Sequence, residues 1–481
     1  MLLFEQIVAL ISLGNVVLAS VLIFLERRNI AATWAWLMVL LFLPGIGFLI
    51  YLVFGQKLSK KKLYRLKQGE FSHFRTAVDK QKQLLESGNL IVNDAAMERY
   101  RDMIYMNVVS DGAYYTQDNK VRIFSEGNSL FDDMLQQMEQ AREHIHLLYY
   151  TIRNDELGSE LMNLLVKKAL QGVKVRLLYD AVGSAGIPAR FFRPLLAAGG
   201  DAVSFFPASF SFINVRVNFR NHRKLTIIDG KIGYIGGFNI GDEYLGKKKL
   251  GFWRDTHLRM EGKAVYMLQA RFFLDWNLSS PNRMAESLTY FPEVDGLDKG
   301  IGIQIVSSGP NSEKQQIKHA YLKMIYKARK KIYLQTPYFI PDDSMLTALK
   351  MAVMSGVDVR VMMPGKPDHL MVFWATQSYL GELLKSGVRC YLYEKGFMHA
   401  KTIVVDTEIS CVGTANIDIR SFKLNFETNA YLFDTRMAEK LEELFIADLD
   451  DCRELTIEEY MNRPMRSRIR ESLARLLSPI L

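Results

Sequence analysis

Cysteine is scarce in this chain: Cys390, Cys411 and Cys452 are the only three among 481 residues. An odd number without metal-ligand spacing excludes a disulfide framework and a zinc site. All three read as reduced thiols, with Cys390 and Cys411 packed in or beside strands. A Walker-type glycine-rich loop is also missing, and no carboxylate cluster has the spacing of a divalent-metal site. No Ala-x-Ala-like cleavage site follows the apolar N-terminal run and Glu5 precedes it, which argues against a secretory leader. Between residues 31 and 54 there is no charge at all.

That uncharged stretch has a neighbour. Residues 7–25 are apolar apart from Ser12, Asn15 and Ser20, and Glu26-Arg27-Arg28 ends them. Each run reaches the roughly 20 helical residues that cross a hydrocarbon core, so residues 1–55 are expected to form a membrane hairpin. Pro44-Gly45-Ile46-Gly47 interrupts the second run, which makes a kink or a re-entrant segment the alternative. Lys57, Lys60, Lys61, Lys62, Arg65 and Lys67 then outweigh Arg27-Arg28 and place the remainder on the cytoplasmic side. Such a collar attracts anionic headgroups at about 1 kcal/mol per basic residue. The formal charge of +9 also points to an anionic partner, either nucleic acid or acidic lipid. Residues 56–111 read as a basic, helical connector.

A chain of this length fits two domains plus accessories. From about residue 112 the pattern is α/β: a helix capped by Asn128 or Ser129, a strand over 145–150, a helix over 157–170 and a strand over 173–179. The same order returns as a helix over 315–330, a strand over 332–334, a helix over 344–354 and a strand over 357–363. Gln-Gly-Val-Lys-Val-Arg, ending at Arg176, answers Ser-Gly-Val-Asp-Val-Arg, ending at Arg360. One α/β unit is therefore duplicated, as residues 112–298 and 299–450, before a basic amphipathic tail at 451–481. Arg466, Arg468, Arg470 and Arg475 alternate there with apolar residues, which suits either an interfacial helix or docking on the body. Residues 205–218 are rich in phenylalanine and fit core-facing strand positions or an apolar lip.

The chemistry lies in residues 221–244. His222, Lys224 and Asp229 form His-x-Lys-x-x-x-x-Asp, with the His and Lys expected on one face of a strand and Asp229-Gly230 in a hairpin turn. His399, Lys401 and Asp406 repeat the pattern, and Asn416 follows His399 at the interval that separates Asn239 from His222. An imidazole beside an ammonium suits a phosphate, which one group attacks or protonates while the other neutralises it. Each half holds one such histidine, so the site is expected where the halves meet. His144 and His146 alternate as a metal pair does. The duplicate has Lys331 and Tyr333 at those positions, so no metal is expected.

The paired motif resembles that of the phospholipase D superfamily. Asn-His-Arg-Lys, Gly-Gly-Phe-Asn-Ile-Gly-Asp-Glu-Tyr and Asp-Ile-Arg-Ser-Phe resemble its bacterial cardiolipin synthase branch. The resemblance implies two phospholipase D-like α/β domains behind the membrane hairpin, with the active site at their interface. It assigns His222 as nucleophile, through a phosphohistidine, and His399 as acid and base, in a nearly symmetric site. Lys224, Lys401, Asn239 and Asn416 would hold the phosphoryl oxygens. Glu427, in Lys-Leu-Asn-Phe-Glu, matches the family's orienting carboxylate. The first half departs there, with Leu250 at the equivalent spacing and Asp255 as the substitute. Asp229 and Asp406 belong to the motif but sit on turns, where they suit holding hairpins better than touching substrate. The implied reaction joins two phosphatidylglycerol molecules into cardiolipin and glycerol at the membrane, without cofactor. A hydrolytic phospholipase D, a membrane-tethered nuclease and a non-catalytic lipid-binding scaffold are the alternatives. Two membrane segments and a Phe-rich stretch favour lipid over nucleic acid as partner.

Overall fold

The computed structural model describes residues 30–43 and 72–478, except 207–217, 248–249 and 295–299, together with isolated positions among the first 51. Its body is built on one fifteen-stranded sheet. Strands such as His144–Tyr149 and Ile301–Ser308 are buried at every position. Their near-continuous apolar runs are what a sheet covered on both faces demands.

The sheet consists of two copies of one strand order. In the first, Asp201–Phe205, Lys174–Asp180 and His144–Tyr149 run parallel, and Leu225–Ile228, Ile232–Gly236, His257–Glu261 and Thr116–Phe124 continue antiparallel. In the second, Arg389–Tyr393, Asp358–Pro364 and Lys331–Gln335 are followed by Thr402–Val405, Ile409–Gly413, Glu427–Phe433 and Ile301–Ser308. The copies join where Thr116–Phe124 pairs antiparallel with Ile301–Ser308, Thr116 opposite Ile303 and Asn119 opposite Ile301. Helices Gly127–Glu139 and Gln316–Lys327 precede the first parallel strand of each copy. Helices Glu156–Leu170 and Asp343–Met354 follow it, capped in the same way by Asp155 and Asp342.

The structure departs from one expectation and adds detail to two others. Gly127–Glu139 is not capped by Asn128 or Ser129: Glu126 stands at the N-cap without a side-chain bond. A Cβ at Gly127 would lie 2.2 Å from the Tyr244 carbonyl oxygen, so close backbone contact fixes that helix start. The connector contributes to the core. Met97, Tyr100, Met103 and Ile104, from Ala95–Tyr100 and Arg101–Asp111, are fully buried among residues of the second copy. The boundary expected at residue 450 precedes another strand, Cys452–Leu455, which extends the second copy by pairing with Arg389–Tyr393. Cys390 and Cys411 are buried in strands as expected.

The run over residues 31–54 is helical at Ile30–Phe42, with Leu41 and Phe42 exposed. Those 13 residues span about 20 Å, against a hydrocarbon core of about 30 Å. Among the described residues no helix is long and apolar enough to cross a membrane. Most of the run at 7–25, the basic collar at 57–67 and most of the Phe-rich stretch lie outside the described residues. Phe205, Phe206 and Phe219, which border that stretch, are buried in the core.

Both hairpins turn on left-handed backbone, at Asp229 and Gly230 (φ 51° and 65°) and at Asp406 and Thr407 (φ 56° and 61°). Each aspartate uses its turn to clamp the strand alongside. The Asp229 carboxylate accepts the backbone N–H groups of Arg142, Glu143 and His144 at 2.9 Å. Asp406 accepts those of Arg329, Lys330 and Lys331 at 2.7–3.0 Å and pairs with Arg99 at 3.0 Å. Asp229→Ala should lower the unfolding free energy by about 2 kcal/mol, the scale of losing charge-assisted bonds to backbone donors that water can partly replace. The fraction that folds should keep its turnover within tenfold of wild type. Denaturant titration and initial rates on the same preparation measure both.

Candidate active site

The strand Leu225–Ile228 begins three residues after His222, so the histidine and Lys224 lie on the extended approach rather than within the strand. Lys401 likewise precedes Thr402–Val405. What fixes both approaches is the opposite half of the molecule. The His222 N–H donates to the Phe426 carbonyl at 2.9 Å, and the His399 N–H to the Arg254 carbonyl at 2.7 Å. Asn221 bridges Phe426, and Gly396–Met398 pairs in parallel with Phe252–Arg254. Each histidine is thus pinned beside the residue that precedes the other half's carboxylate.

The carboxylates follow directly. Glu427 lies 3.1 Å from His222 Nδ1, and Asp255 Oδ2 lies 2.6 Å from His399 Nδ1. His222 Nδ1 also faces the Thr414 carbonyl at 3.1 Å. Both of its partners are acceptors, so the neutral ring carries its proton on Nδ1 and presents Nε2 as a lone pair. Around His399 the Asp255 carboxylate faces Nδ1 as an acceptor, which favours a proton there, and the Tyr244 hydroxyl sits 3.3 Å from the same nitrogen. The two carboxylates are housed differently. Thr414 Oγ1 donates to Glu427 at 2.6 Å, whereas a Cβ at Gly237, the matching position, would lie 2.0 Å from Asp255 Oδ1. The shorter acid therefore needs a glycine beneath it.

Lys224 and Lys401 are buried, and each Nζ donates to the carbonyl of its own motif histidine, at 2.7 Å for Lys224. Burial pulls Lys224 down to about 7 and Lys401 to about 8, against the attraction of Glu427 and Asp255. Burial, reinforced by both lysines, also holds both histidines below their ordinary value, His399 well below it. Each motif thus feels the charges of the other, which brings the two together in one site. Asp255 is pushed up to about 6 by burial, while Glu427 is held low because His222 and Lys224 outweigh its burial. This is a buried, cation-lined site with two neutral imidazoles, suited to receive an anion.

Asn239 Oδ1 accepts the Thr151 N–H at 3.1 Å, and its amide reaches Tyr244 Oη at 3.0 Å, which links it to His399. The Asn416 side-chain oxygen is buried without a hydrogen-bond partner. Asp229 and Asp406, grouped with the catalytic residues in the motif, are not in the cluster. They sit at the far ends of four-residue strands, about 13 Å away, with their oxygens committed to backbone. Sequence reasoning missed Tyr150, whose ring lies 4.8 Å from His222 and 5.4 Å from Lys224 Nζ, and Trp253, 5.3 Å from His399. Tyr150 carries no motif signal; Trp253 is adjacent to residues already singled out. His144 and His146 are core residues that share Gln269 Oε1 at 3.2 and 3.1 Å. Among the described residues no cluster of three His, Cys, Asp or Glu could hold a metal ion.

Comparison with known proteins places this geometry. The family model described as "Cardiolipin synthase, PLD-like domain" matches residues 134–249 and 321–449. A "Phospholipase_D-nuclease N-terminal" model matches residues 14–56. A cardiolipin synthase of Listeria innocua is 52% identical over 470 residues, 97% of each chain. The major cardiolipin synthase ClsA of Bacillus subtilis is 50% identical over 471 residues, again 97% of each. Among solved structures, a phosphatidylserine synthase of Haemophilus influenzae superposes with TM-score 0.61 over 81% of this chain and all of its own. At 13% identity that likeness concerns the fold alone.

Because the fold depresses both lysines, the unfolded chain binds more protons between about pH 7 and 10, and their charges cost the ligand-free protein stability at and below pH 7. Lys224→Met should therefore stabilise the ligand-free protein most at pH 6.5, with the gain shrinking toward pH 9.5. Thermal melts across that range check the sign. The same variant should lose at least 100-fold in turnover, the scale of one missing donor to a developing oxyanion.

Proposed function

The chain belongs to the cardiolipin synthase family of phospholipase D-like proteins, and from that membership we propose how its site makes cardiolipin. It is a phosphatidyltransferase whose donor and acceptor are both phosphatidylglycerol, and glycerol is the second product. The observation that carries the mechanism is the crossed pairing of His222 with Glu427 and His399 with Asp255, which leaves two Nε2 atoms for one phosphate.

His222 Nε2 attacks the donor phosphorus and the bond to the headgroup glycerol oxygen breaks, leaving a phosphatidyl-histidine. Ionised Glu427 stabilises the positive ring that results. His399 delivers a proton to the departing glycerol. It then takes one from the glycerol hydroxyl of the second lipid, whose oxygen attacks phosphorus as the P–N bond breaks. A neutral His399 gains that first proton because a phosphodiester anion seated between Lys224 and Lys401 reverses the sign of its surroundings. The lysines, with the Asn239 and Asn416 amides, bind the non-bridging oxygens. One phosphodiester replaces another, so no external energy source is needed.

The membrane setting rests on the apolar runs at 7–25 and 31–54 and the basic residues at 57–67, which support a hairpin with the catalytic halves on the cytoplasmic side. Anionic lipids gathered by that collar supply both substrates.

His222→Ala and His399→Ala should each abolish transfer, while His144→Ala and His146→Ala retain it. Base-quenched reactions with lipid labelled at phosphorus should show slow build-up of label on His222 of the His399→Ala protein, and acid should release it. With phosphatidylglycerol bilayers the full-length enzyme should yield cardiolipin and glycerol in large excess over phosphatidic acid. A predominance of phosphatidic acid would assign water as the acceptor and overturn the transferase reading.

A further inference from the structure

The C-terminal helix Met465–Leu476 has two faces, and the body uses only one. Glu471, Ala474 and Ser478 point inward and are at most 5% exposed. The helix packs on Leu370–Lys385, where Ser478 meets the Tyr379 hydroxyl at 3.2 Å, while Glu471 pairs at 2.7 Å with Arg463 just ahead of the helix. Arg475 binds Glu382 and lies over the Tyr379 ring, and Arg470 lies over Trp374. Docking on the body is therefore complete without the opposite face.

That face is apolar. At 100° per residue, Met465, Leu476, Ile469 and Leu473 fall within about 80° of one another, roughly opposite the buried side. They are 65%, 76%, 53% and 59% exposed. Arg466 and Arg470 border the stripe on one flank, Arg468 and Arg475 on the other, all exposed. An apolar ridge between two rows of guanidinium groups matches the depth profile of a lipid surface, with acyl chains beneath and anionic phosphates alongside. A second copy of the chain would bring arginine against arginine, so the charge pattern disfavours self-association.

We propose that Met465–Leu476 is an interfacial helix that lays its outward stripe into an anionic lipid bilayer, giving the catalytic body a membrane contact separate from the N-terminal segment. The proposal stands whether the acceptor in the reaction is lipid or water. It orients the body: the helix that carries Trp374 and Tyr379 lies directly above the headgroups.

The test uses the full chain in vesicles of phosphatidylglycerol and phosphatidylcholine, with Cys452→Ser removing the one cysteine that is not buried. An environment-sensitive fluorophore is attached at Ile469→Cys or Leu473→Cys, or at Lys440→Cys on the exposed side of Thr435–Leu449 as reference. Lipids brominated on the acyl chain should quench the first two at least twofold more than the third. Arg466→Ser with Arg468→Ser should reduce that excess, as should replacing phosphatidylglycerol by phosphatidylcholine. Equal quenching at all three positions would overturn the proposal. So would a stripe signal that ignores bromolipid and rises with protein concentration, which would assign the stripe to a second copy.

Discussion

Each half of the molecule holds the carboxylate that the other half's histidine requires, and the rest of the structure depends on that exchange. An imidazole that must offer one nitrogen to phosphorus has to be held by the other. Supplying the holder from the partner half makes correct chemistry conditional on correct docking. Glu427 reaches His222 across 205 positions of sequence and Asp255 reaches His399 across 144. The backbone bonds from His222 to Phe426 and from His399 to Arg254 set the same crossing one residue earlier. The continuous sheet, the buried pairing of its central strands and the glycine beneath Asp255 all serve to keep these separations constant.

Electrostatically the free site is held away from its most comfortable state. Two buried ammonium groups face two carboxylates, yet burial dominates enough to bring both lysines toward neutrality and keep the histidines unprotonated. A phosphodiester relieves this arrangement by bringing the missing negative charge. Binding and activation therefore coincide: the anion that becomes substrate also raises the proton affinity of the acid that will serve it.

Much of this was legible in the sequence for identifiable reasons. Duplication showed because Gln-Gly-Val-Lys-Val-Arg and Ser-Gly-Val-Asp-Val-Arg occupy equivalent places, and their strands align in the two copies of the sheet. The motif residues were visible because a short local pattern recurs intact. The crossing was not legible, since nothing local in Glu427 or Asp255 says which histidine each faces. Nor was the inward face of residues 97–108, where charged neighbours conceal the buried Met97, Tyr100 and Met103. Tyr150 escaped for a related reason: its role comes from the strand His144–Tyr149 ending beside His222, a long-range fact without a sequence pattern. Asp229 and Asp406 travel with the motif although their work is done at the other end of the hairpin.

The seam between the halves also bears on how the protein is made. Thr116–Phe124 finds its neighbour His257–Glu261 within the first half, but its other edge stays open until Ile301–Ser308 has been synthesised. At about 5–20 residues per second, that edge waits on the order of seconds for its partner. An open, flat, apolar edge would invite pairing with a stranger. This strand reads Thr-Gln-Asp-Asn-Lys-Val-Arg-Ile-Phe, and its Asp118, Lys120 and Arg122 make it a poor template for any partner but its own. Charge on this strand thus disfavours foreign pairing in the interval before the molecule closes on itself.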